Sequence, residues 1–144
     1  MKKILIVGLL CLTGCVSSTT PISASSAKGV PTDRLRAYQE QSSPDDATLI
    51  VTRDVGRAGS GCYSGFMING KLAARFDVGE TARFHVPPGE LLLKNGVDPE
   101  GRGLCGVPEH HWTVRETIMK PGDRKYFRLS YSPGGTSDVQ RTVD

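Results

Sequence analysis

The sequence predicts an all-β fold: a small antiparallel β-sandwich of about seven strands. Three observations carry this expectation. Short β-branched and aromatic runs recur between residues 47 and 131, separated by clusters of turn residues. Gly 17 and Pro 9 are somewhat high for 144 residues, while aromatics stand at 6%, a mix that suits short strands and tight turns better than a helical bundle. Helical periodicity is almost absent. The length fits one domain, and the composition excludes a multi-pass membrane protein, a coiled coil and a collagen-like chain.

The strands follow in order. Thr48–Arg53 is β-branched and bounded by polar turns. Val55 to Gly61 holds three glycines and reads as a loop or wide turn. Cys62–Ile68 and Lys71–Phe76 flank Asn69-Gly70, residues that tolerate the positive φ of a type I′ hairpin turn. Thr81–Val86 alternates, with Ala82, Phe84 and Val86 on one face. Leu91–Leu93 follows the turn Pro87-Pro88-Gly89-Glu90, Trp112–Ile118 comes next, and Pro121-Gly122-Asp123 leads into Tyr126–Tyr131. Between them, Asn95 to Pro108 is Gly-rich and reads as a long loop, and residues 133–144 read as a frayed polar tail. Short turns imply antiparallel hairpins, and one apolar face per strand implies two sheets packed face to face, with a small closed barrel as the alternative.

The N-terminus has a different character. Met1-Lys2-Lys3 is basic, and Ile4 to Leu12 is apolar. Nine helical residues reach only about 14 Å, against a hydrocarbon core of about 30 Å, so residues 1–14 read as a signal peptide rather than a membrane span. Val16 to Gly29 is rich in Ser and Thr and reads as a flexible tether, and residues 30–39 could form either a short helix or an ordered coil. The domain proper is expected at 47–132.

Leu12-Thr13-Gly14-Cys15 resembles the bacterial lipobox. The resemblance implies cleavage before Cys15, a covalent lipid on Cys15 and no other cofactor, hence a membrane partner through the acyl chains. Val16 in place of Asp after Cys15 implies the outer membrane, facing the periplasm. The chain carries 18 Lys+Arg and 15 Asp+Glu, a net +3, and without Lys2 and Lys3 the balance is 16 against 15, or +1. No clustered basic face remains to favour nucleic acid.

Of four cysteines, Cys11 lies in the signal and Cys15 in the lipobox, leaving Cys62 and Cys105 as an even pair in an oxidising compartment. A disulfide between them closes a loop of roughly 44 residues and stabilises by about 4 kcal/mol on the chain-entropy model.

The series Ile68-Asn69-Gly70-Lys71, Gly79-Glu80, Val86-Pro87-Pro88-Gly89-Glu90 and Pro121–Phe127 resembles PEGA-type β-sandwich modules and related small bacterial lipoproteins. That resemblance spans roughly residues 47–132. It implies an envelope β-sandwich that binds or scaffolds something, with no catalytic residues.

The residues themselves also point away from catalysis. Ser60 lies in Gly59-Ser60-Gly61 and lacks the G-x-S-x-G elbow. Asp77, Glu80, Glu90, Asp98 and Glu100 fall at expected turns and read as solvated turn groups. His110 and His111 are adjacent, so on a strand they point to opposite faces, and a metal site would need His85 and a carboxylate as well. No catalytic or metal residue is assigned. A binding surface is expected where Arg53, Arg57, Arg102, His110, His111 and Trp112 flank the two cysteine regions, since Arg and Trp are enriched at contact hot spots; the competing reading puts Trp112 in the core. The expected function is therefore a non-catalytic outer-membrane lipoprotein that binds or scaffolds a cell-envelope component, with an envelope protein as the expected partner. The alternative is an immunity, exclusion or inhibitor lipoprotein acting in the periplasm.

Overall fold

The computed structural model describes residues 17–107 and 113–144. Its nine strands among these residues form two sheets. Strands β1 (Lys28–Gly29), β2 (Ala47–Arg53), β5 (Glu80–Val86), β8 (Arg124–Tyr131) and β9 (Ser137–Thr142) make one, in the order β1-β5-β2-β8-β9. Strands β3 (Ser64–Ile68), β4 (Lys71–Phe76), β6 (Gly89–Val97) and β7 (Val114–Met119) make the other, in the order β4-β3-β6-β7. The expected β-sandwich is what forms. Among the described residues no helix is long and apolar enough to cross a membrane.

The inner faces of the sheets build one core. Leu49 and Val51 alternate inward along β2, Phe84 and Val86 along β5, and Phe127 and Leu129 along β8. They meet Phe66, Ile68, Phe76, Leu91 and Leu93 from the second sheet. Phe66, Phe76 and Phe84 gather at its centre, with ring centroids 5.5–6.3 Å apart, inside the range of favourable aromatic contact. The β3–β4 hairpin turns as expected at Asn69 (φ 50°) and Gly70 (φ 78°). Asn69 also ties the hairpin to β6, its N–H donating to Leu92 O at 2.8 Å and its Oδ1 accepting from Leu92 N at 2.9 Å.

Several expectations need correction. The pairing is not wholly antiparallel: β1 runs parallel to β5, and β2 parallel to β8. The segment read as a flexible tether is docked from Thr19 onward. Thr20 and Val55 exchange two backbone hydrogen bonds, at 2.8 and 3.0 Å. Ala24 and Ser25 then lie beside Ile50, Arg83 and Tyr126 on the outer face of the five-stranded sheet, and Lys28–Gly29 pairs with β5. Hydroxyl-rich sequence can stay solvated, yet its backbone is equally free to pair with an exposed strand edge. Residues 30–39 hold only a short 3-10 turn at Thr32–Arg34. The chain then covers the edge of β4, with Arg36 N and Ala37 N donating to Ala73 O.

The expected tail is a strand. β9 pairs with β8 over six residue pairs and buries Val139 in the core. One apolar residue in Ser137–Thr142 left no pattern to read. The long loop is also shorter than expected, because β6 runs on to Val97 and Asn95 is fully buried. A chain ending at Ser132 exposes the edge of β8 and removes Val139 from the core. It is expected to lose cooperative thermal unfolding, which circular dichroism would read directly.

Candidate functional site

Strand alternation that points Leu49 and Val51 inward carries Arg53 to the same face, at the end of β2. Arg53 is 1% exposed. Its guanidinium donates to Phe76 O at 2.7 Å, Cys62 O at 2.9 Å and Gly59 O at 2.5 Å. Two loop carbonyls and that of the last residue of β4 are thereby bonded by one planar fork. Arg53 was expected on a contact surface. Burial removes it from one and makes it the plug of the sandwich end.

Its neighbour Asp54 faces the other way. The Asp54 carboxylate accepts from Arg128 Nε at 3.0 Å and from Thr19 Oγ1 at 2.8 Å, and Thr19 N donates to Tyr131 O at 3.0 Å. The Tyr131 hydroxyl reaches across to Ser64 at 2.7 Å, and Ser64 bonds Asn95, so one buried polar chain joins the two sheets. The Tyr131 ring packs against Gly59, where a Cβ would stand 2.9 Å from the ring.

Over this plug lies the disulfide. Cys62 and Cys105 are bonded, with Cα atoms 5.4 Å apart. The bond holds the loop of residues 98–107 against the Gly-rich loop 54–63. The held loop is tight, since a Cβ on Gly101 would fall on the backbone of Cys105.

Between these loops opens a cleft of about 890 Å³, lined by Tyr63, Arg75, Asp77, Asp98, Glu100 and Arg102 among others. A lattice of charges builds its wall. Arg34 grips Glu80 with two bonds, at 2.8 and 2.5 Å, and Glu80 also accepts from Asp77 N at 2.6 Å. Arg75 binds Asp98 through Nε and Nη2, at 2.9 and 2.6 Å, and reaches Glu100 at 3.0 Å. Arg36 binds the same Glu100 at 2.8 and 2.7 Å. Tyr63 is 39% exposed, and the guanidinium carbons of Arg34 and Arg75 stand 4.4 and 5.1 Å from its ring centre. The hydrogen bonds from Arg36, with its charge and that of Arg75, hold the Glu100 carboxyl below its ordinary value.

The expected surface is thus partly assembled. Arg57 and Arg102 are exposed at this end and Arg102 lines the cleft. Arg53 lies beneath. His110, His111 and Trp112 fall outside the described residues. His85 sits away from the cleft, with its backbone N–H donating to Tyr38 O. No group of three or more His, Cys, Asp or Glu side chains placed to hold a metal occurs among the described residues. Glu80 and Asp98, read as solvated turn groups, are buried partners of arginine. Tyr63, Arg34, Arg36 and Arg75 were missed, because their partners are distant in the chain and no local spacing announces them. No family model matches the chain, and no curated protein matches it.

Two outcomes are expected. Arg53→Met strands the buried Phe76 carbonyl and two partly buried ones, and destabilises the fold by about 3 kcal/mol, as read by chemical denaturation. Glu100, whose folded pKa is depressed, stabilises at neutral pH, and this contribution fades as pH falls below the ordinary value of 4.5. Glu100→Gln therefore lowers Tm at pH 7, and the difference shrinks as pH falls through the depressed folded-state value, where the wild-type carboxyl takes up its proton.

Proposed function

We propose that this chain is a non-catalytic lipoprotein of the outer membrane, and that it binds or scaffolds an envelope protein through the disulfide-braced end of its sandwich. The observation that carries the binding reading is the cleft beside Tyr63. It is open and rigidly framed, and it offers an aromatic ring set among fixed guanidinium groups. Such a surface suits a polypeptide partner, for which aromatic and Arg contacts supply most of the affinity. The fixed lattice adds specificity, since its charges need little reorganisation on binding.

The same pairing argues against catalysis. Glu80, Asp98 and Glu100 are each committed to arginine, and a carboxylate so held is a poor general acid. The lipid anchor rests on the resemblance of Leu12–Cys15 to a lipobox, and the PEGA-like reading on the turn series already given. A role as inhibitor or immunity protein would use the same cleft and differ only in its target.

A photoreactive residue placed at Tyr63 in living cells tests the binding reading, with Lys71 at the opposite end of the sandwich as control. One dominant envelope protein captured at Tyr63 and not at Lys71 is expected. A toxin or hydrolytic enzyme captured instead would move the assignment to the inhibitor role. Capture of the same abundant neighbours from both positions would overturn a dedicated binding end. Cys15→Ser is expected to remove the protein from the membrane fraction, and full retention there would overturn the anchor.

A further inference from the structure

We infer that the loop Gly103–Val107 seats on the membrane surface, so that the sandwich stands end-on with its disulfide toward the bilayer. This rests on the proposed lipid at Cys15 and extends it.

The chain leaves no slack for another pose. Thr19 is buried and held by Tyr131 O, by Asp54 and by the Tyr131 N–H, which donates to Thr19 Oγ1 at 2.9 Å. Only four peptide steps separate Cys15 from Thr19, and fully extended they reach about 14 Å at most. Whatever surrounds Thr19 is therefore held within that distance of the acyl chains.

What surrounds it is suited to a lipid surface. Tyr131, which holds Thr19, also lines a hollow of about 250 Å³ together with Gly59, Leu104 and Val107. Leu104 is 91% exposed and Val107 56% exposed. Cys105 sits between them, and its bond to Cys62 ties this stretch to the Gly-rich loop. Two large apolar side chains on a rigid knuckle are a liability for a domain free in solution and an asset at an acyl boundary.

The charges agree. Asp54, Glu80, Asp98 and Glu100 at this end are all paired with arginine. Asp77 accepts from Val78 N. Arg57 and Arg102 make no ion pair among the described residues, and both are exposed, free to meet anionic headgroups. The opposite end, with the Asn69-Gly70 and Pro87-Pro88 turns, points away from the membrane.

The test uses the lipidated full chain, purified from membranes and reconstituted into vesicles of phosphatidylethanolamine and phosphatidylglycerol. Photoreactive benzoylphenylalanine replaces Leu104, Val107 or Lys71 in separate preparations. Vesicle flotation and mass spectrometry are read together. Phospholipid adducts several-fold more abundant at Leu104 and Val107 than at Lys71, in protein that floats and carries lipid on Cys15, are the expected result. Floating, lipidated protein with equally sparse adducts at all three positions overturns the seating and leaves the anchor standing. Protein without lipid mass that fails to float overturns the anchor, and the seating with it.

Discussion

The guanidinium of Arg53 is the contact on which one whole end of this molecule depends. A β-sandwich is open at its ends, and chain leaving the strands there carries carbonyls that no ladder satisfies. Gly59 and Cys62 in the loop and Phe76 at the last position of β4 each turn a carbonyl to Arg53. A buried cation is costly unless it is fully bonded, and a planar fork of fixed donors meets that condition better than an ammonium would. The next residue, Asp54, completes the arrangement on the outer face by holding Arg128 and Thr19. Two neighbours in sequence, pointing in opposite directions as a strand requires, fix both the inner loops and the entering N-terminal segment.

From that plug the rest of the end follows. Cys62 is placed by its own carbonyl on Arg53, which sets it to meet Cys105. The disulfide brings Asp98 and Glu100 within reach of Arg75, and Arg36 reaches Glu100 from the N-terminal segment. Taken singly, the more exposed pairs at Glu100 contribute little, since solvent and side-chain entropy offset most of the attraction. Their effect here is geometric: they fix where Tyr63 and the loop of residues 98–107 stand.

Much of the fold was legible in the chain. Alternation in Thr81–Val86, the β-branched run before Arg53 and the Asn69-Gly70 turn are local signals, and local signals fix strands and hairpins. The disulfide was legible because only two cysteines remained to pair. What escaped was set by tertiary context. Ser137–Thr142 is a strand because β8 offers an edge and the core has room for one valine, and neither fact is written in those six residues. Residues 19–29 pair with edges that exist only after the sheet has formed. The arginine lattice of the cleft was hidden for the same reason: Arg34 and Glu80, or Arg75 and Asp98, become neighbours only when separate loops converge. Arg53 itself looked like a surface residue by type. Its burial was implied by strand parity, which placed it in phase with Leu49 and Val51.

The parallel pairing of β2 with β8 also bears on how the chain acquires its structure. These strands lie side by side in the five-stranded sheet, with Thr48 against Arg124, yet all four strands of the second sheet are encoded between them. Strands β3, β4 and β6 can associate as soon as they are synthesised, because their pairings are close in sequence. One edge of β2 pairs with β5, but the other must wait for β8, and closing so long a loop is slow. The half-made molecule thus exposes the inner edge of β2, rich in Leu, Ile and Val, until β8 has been synthesised. In that interval it is most prone to pair with the wrong strand.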